Sequence, residues 1–178
     1  IGDFHDGYHV TNAELLRIHT EKVIRIGSEL STKYIYFDEA KYADQSRMVR
    51  VDSQHSIFFK GGNNSFSTNL VMTAKHDVHI DANVYANGFV NIIADADCIY
   101  NGTVELLNNH YVDSNHNLIH VVAHDMTVHG YFRAGAHAIN LETCPGKHVH
   151  VGGKNNTSGN QMILHQHELD RLGTVNLT

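Results

Sequence analysis

Apolar and polar positions alternate with a period of two over short runs, and the runs themselves recur. Val78 and Ile80 flank His79, Met126 and Val128 flank Thr127, and Val149 and Val151 alternate with His148 and His150. In an extended strand this pattern sends one set inward and the other outward. Between Asn69 and Gly152 the runs belong to a longer phrase. It is read from Asn69 to Val84, again from Phe89 to Val104, again from Asn117 to Gly130, and in a degraded copy from His137 to Val151. With Ala74 as anchor, Ala94 follows after 20 positions, Ala123 after 29 more and Thr143 after another 20. The nine additional residues of the long copy are assigned to the polar run from His110 to His116.

A period of about 20 residues with two or three short alternating runs predicts one coil of a β-solenoid, which cannot bury its apolar side alone and stacks on its neighbours. The fold class is therefore all-β, a parallel β-helix, with a β-sandwich of evenly spaced strands as the alternative. Val78, Ile80, Ile92, Val122, Val128, Val149 and Val151 form the predicted interior ladder, and the anchor alanines sit at tight corners. Upstream, Tyr34 to Phe37, Met48 to Val51 and Ile57 to Phe59 are short β-branched and aromatic runs between polar turns, as further coils would be. The predicted coil count is about eight. Thr11 and Glu14 have capping-box spacing for a single helical turn burying Leu15 and Ile18, before Val23 to Ile26 enters a strand.

The run from Asn12 to Ile18, the phrase Val23-Ile-Arg-Ile-Gly27, and the coils around Ala74, Ala94 and Ala123 resemble the repeat of filamentous-haemagglutinin-type β-helix proteins over nearly the whole chain. The resemblance implies a right-handed parallel β-helix and a role as a secreted, surface-attached adhesive fibre. It brings no catalytic residues and no cofactor.

Composition narrows the picture. With 178 residues and 42% hydrophobic positions, residues 1–178 read as a single module with ample core. A formal charge of −6 without a Lys/Arg cluster argues against a nucleic-acid surface, and no apolar stretch is long enough to span a membrane. The start at Ile1, without an initiating methionine or signal peptide, reads as a mature or excised piece. Cys98 and Cys144 lie 46 positions apart, about two coils, which predicts free thiols.

Sixteen histidines are the unusual feature. His76, His79, His148 and His150, with His120 and His124, fall on outward positions, where stacking could bring imidazoles together as metal ligands. A hydrogen-bonded, solvated histidine ladder is the simpler reading. Asp77, Asp95, Asp97 and Asp125 follow the anchor alanines, and a carboxylate pair there would suit a polysaccharide-cleaving β-helix enzyme. Asp at such corners also bonds local backbone without further function. Asn63, Asn101, Asn155, Asn156 and Asn176 begin Asn-x-Ser/Thr sequons, of which Asn63 and Asn155 in Gly/Asn turns are favoured over Asn101.

The two ends share a phrase: His167 to Leu172 repeats Ala13 to Ile18, and Val151-Gly152 repeats Ile1-Gly2. This predicts a window cut from a tandem array with a unit of about 150 residues, or copies stacking into a filament. The expected function is a non-catalytic extracellular, cell-surface fibre module. Its partners are itself and a carbohydrate or other cell-surface ligand, with a carbohydrate-active enzyme or a metal-binding solenoid as alternatives.

Overall fold

The computed structural model describes residues 10–43, 46–99, 101–152 and 161–174. The chain winds through short strands, three to a turn. The first turn is β1 (Val23–Ser28), β2 (Tyr34–Asp38) and β3 (Lys41–Tyr42), and the second is β4 (Met48–Ser53), β5 (Ser56–Lys60) and β6 (Asn63–Phe66). The third is β7 (Asn69–Ala74), β8 (Val78–Ile80) and β9 (Asn83–Ala86), and the fourth is β10 (Val90–Ile93), β11 (Thr103–Leu106) and β12 (Tyr111–Asp113). The fifth is β13 (Ile119–Val122), β14 (Asp125–Val128) and β15 (Tyr131–Gly135). A last, irregular turn holds β16 (Ile139–Glu142), β17 (His148–Val151), β18 (Gln161–Leu164) and β19 (Leu172–Thr174). Two single-turn helices, α1 (Asn12–Leu15) and α2 (Gln166–Leu169), complete it.

Successive turns pair in parallel. Sheet A runs β1-β4-β7-β10-β13-β16, sheet B runs β2-β5-β8-β11-β14, and sheet C runs β3-β6-β9-β12-β15-β19. The chain is thus a β-solenoid of five complete described turns. The expected eight coils overcount, because the early runs Tyr34 to Phe37 and Met48 to Val51 are different sides of successive turns rather than coils of their own.

The core is a set of columns running along the axis. On sheet A, Ile24, Val49, Leu70, Val90, Ile119 and Ile139 align, and beside them Ile26, Val51, Met72, Ile92, Val121 and Leu141. Sheet B supplies Phe37, Phe59, Ile80, Leu106 and Val128, with Phe37 and Phe59 stacked at 4.8 Å. The predicted anchors hold: Thr73, Ile93, Val122 and Glu142 are in register, so Ala74, Ala94, Ala123 and Thr143 take the same corner, and the three alanines are fully buried.

Two ladder assignments change. Val121 is buried and Val122 half-exposed, because β13 begins its alternation at Ile119. Val149 and Val151 are 40% and 61% exposed, since among the described residues β17 pairs only with β18 and it is β18 that packs against β14. The nine additional residues also fall elsewhere. Val104 lies beside Val78, 26 positions earlier, so six of the nine are already spent in the corner between β10 and β11. Val112 lies beside Val84 at 28 and Ile119 beside Val90 at 29, which leaves only three, two before β12 and one after it.

That long corner overturns the free-thiol expectation. Cys98 rides on it and is bonded to Cys144, with Cα atoms 5.7 Å apart. The register has not slipped. The extended loop reaches past β13 to the corner after β16, a span that strand spacing alone would not allow.

Several polar groups inside are matched. Asn64, fully buried among apolar columns, accepts a hydrogen bond from the Ala40 N–H and donates to the Lys60 carbonyl. Arg25 and Arg50 sit side by side on β1 and β4, tolerated because both donate to the buried Asp52 carboxylate. Gly27 has φ +79°, and a Cβ there would collide with the Asp52 carbonyl and Ile35.

Candidate functional site

The outward face of sheet B carries a ladder of rings. Tyr36, Phe58, His79 and Glu105 are in register on β2, β5, β8 and β11. Tyr36 stacks on Phe58 and Phe58 on His79, each at 4.8 Å and nearly parallel. His79 Nδ1 lies 2.9 Å from Glu105 Oε2, and its Nε2 lies 3.7 Å from Asp77 Oδ2. The Asp77 contact, opposed by burial and assisted by Glu105, raises the His79 pKa above its ordinary value. Burial pushes the Asp77 carboxyl up, but the neighbouring His79 imidazole and the hydrogen bond from the Thr103 N–H outweigh it and hold it below the ordinary value. Beside this column Tyr34 packs on His55, and His55 stacks on His76 at 4.0 Å. Burial, then the neighbouring His76, lowers the His55 pKa.

The four candidate metal ligands are not brought together. His76 stacks in the corner column and His79 on Phe58, while His148 and His150 project from the exposed β17. From β8 the way to β17 passes β11, β14 and β18, four strand spacings or roughly 19 Å. Among the described residues no group of three or more His, Cys, Asp or Glu side chains could hold a metal ion. Outward histidines meet carboxylates instead: His110 Nε2 is 3.3 Å from Asp81, and His120 Nε2 is 3.3 Å from Glu142.

The corner carboxylates clasp neighbouring turns. Asp77 accepts from the N–H of Thr103 on the next turn, and Asp125 from the N–H groups of Met126 and Ile163. Thr103 lies between them in one column, so the two are about two strand spacings apart. Asp95 is fully buried with φ +63° at the start of the long corner, and Asp97 is exposed on it. Of the sequon residues, Asn63 and Asn101 are exposed, and Asn155, Asn156 and Asn176 lie outside the described residues.

Protein-family models, curated proteins and solved structures give no match to this chain. Its chemistry is therefore carried by its own surfaces. One that composition did not reveal is a dip on sheet C of about 310 Å³, lined by Lys41, Asn63, Ser65, Asn83, Tyr85 and Tyr111. The ring ladder was legible in principle, because Tyr36, Phe58 and His79 recur at spacings of 22 and 21. The dip was not, because it depends on which short side chains fall beneath which rings.

Proposed function

We propose that the chain is a non-catalytic structural and adhesive module of an extracellular fibre, lengthened by coils continuing or stacking end on end. The observation that carries this is the state of sheet A. Its register runs unbroken through six strands, and among the described residues β1 and β16 each pair on one side only. Such edges offer unpaired N–H and C=O groups to another chain. On β16 the columns end in Ile139 and Leu141, only half covered, where one more coil would bury them. The repeated end phrase takes the same local form in both places, with Glu14 accepting from the Thr11 N–H and Glu168 from the His165 N–H. The Cys98–Cys144 disulfide and the exposed Asn101 sequon favour an oxidising, extracellular setting.

Light scattering after gel filtration and negative-stain microscopy, run from dilute to concentrated protein, test the reading. Rods whose length grows in whole-module steps are expected. A single monomeric species at every concentration, together with a natural gene product confined to one module, would overturn it.

A further inference from the structure

We infer that the dip on sheet C is a binding site for one pyranose unit of a neutral oligosaccharide. The inference rests on the adhesive reading above and supplies its ligand class. On sheet B, rings on successive turns cover each other face to face at 4.8 Å. On sheet C the covering is interrupted. Tyr85 on β9 has Ser65 beside it on β6 and, on that same column, Lys41 on β3. In the neighbouring column Asn63 and Asn83 are paired, and Tyr111, one position before Val112, falls beside Asn83. Above Tyr111, the Arg133 guanidinium lies 4.4 Å from the ring centroid and covers the side toward β15. Towards β6 and β9, short Ser and Asn side chains leave a space where the sheet B pattern would place another ring.

That space has the character of a sugar site. Its volume is at the lower end of the ~300–1,000 Å³ typical of small-ligand pockets. Two tyrosines wall it, and Tyr85 is 37% exposed. The apolar C–H face of a pyranose stacks on such rings as a neighbouring aromatic would. The remaining lining is amide, hydroxyl and a single ammonium, groups that exchange hydrogen bonds with sugar hydroxyls. The Asn83 amide donates to Asn63 Oδ1 at 2.8 Å, which fixes the orientation of both side chains. One lysine against a chain of net charge −6 disfavours a polyanionic glycan.

The test uses the protein secreted to a bacterial periplasm, where the disulfide forms and no glycan is placed on Asn63. Calorimetric titrations compare gluco-, manno- and xylo-configured hexasaccharides with hexagalacturonate. At least one neutral sugar is expected to bind, with Tyr85→Ala and Tyr111→Ala each weakening it by roughly tenfold or more, the cost of losing one stacked ring. Tyr131→Ala, one turn beyond Tyr111, should stay within about twofold, and matched melting curves show that all variants fold. The proposal is overturned if no neutral sugar binds at millimolar concentration, if hexagalacturonate alone binds, or if Tyr131→Ala loses as much as Tyr85→Ala. Assembly read by light scattering is a separate measurement, so loss of sugar binding and failure of the fibre reading are told apart.

Discussion

Replacing Ile80 by Ala tests the column architecture most directly. Ile80 is fully buried on β8, in the third turn, between Phe59 on β5 and Leu106 on β11, both also fully buried. The change removes three carbons, worth about 2.4 kcal/mol at ~0.8 kcal/mol per buried CH₂. Phe59 is held by its stack on Phe37 and by the edge of Phe66, so the site cannot collapse to fill the space. With the cavity contribution the expected loss is about 3–4 kcal/mol. For a chain of this size that lowers Tm by roughly 6–15 °C. Ile80→Asp should cost more than about 4 kcal/mol or abolish folding, because an unpaired carboxylate would sit in a dry column. The discriminating pair is on sheet A. Val121→Ala should cost about 2–3 kcal/mol and Val122→Ala under ~1, since only Val121 is buried. Urea unfolding followed by far-UV circular dichroism reads all four variants. An Ile80→Ala loss below ~1 kcal/mol, or equal losses at Val121 and Val122, would refute the register.

Reducing the Cys98–Cys144 bond should lower stability by about 4 kcal/mol on the loop-entropy model for its 46-residue separation; peptide mapping without reduction should recover the linked pair, and free alkylation of both thiols would contradict the long-corner geometry. Glu168 is buried and accepts from the N–H groups of Val128 and His165, so Glu168→Ala should cost roughly 1–3 kcal/mol and speed hydrogen exchange at Val128. Because the folded pKa of His79 is raised, its protonated form stabilises the native state fully below the unfolded value of 6.5, and that contribution disappears as pH rises through the folded pKa. The stability gap between wild type and His79→Gln should therefore shrink toward alkaline pH; a gap that widened would reverse the assignment. His55, whose pKa is lowered by burial and then by His76, acts in the opposite sense, so His55→Gln should gain on the wild type as pH falls below 6.5.

The in/out alternation around Val78 and Ile80, the anchor series Ala74, Ala94, Ala123, and the parallel stacking they imply were all readable from the chain. Each depends on side-chain period and on a repeat length, and both are local properties. The capping box at Thr11 and Glu14 was legible for the same reason. Where the repeat degrades, local pattern fails. Val149 and Val151 alternate as faithfully as Val78 and Ile80, yet they are exposed, because burial needs a covering strand and β18 occupies the place over β14. The disulfide was hidden because a spacing of 46 says nothing about where six inserted residues lie, and only the register of Val104 on Val78 puts them in the Cys98 corner. The histidines show the same division. Sequence placed His79 outward and Asp77, the first cause of its raised pKa, two positions before it, but the stack on Phe58 and the assisting Glu105 carboxylate come from turns 21 and 26 residues away. Periodicity determined what this chain is built from. Contacts between turns, which no local run of residues contains, decided what its surfaces can do.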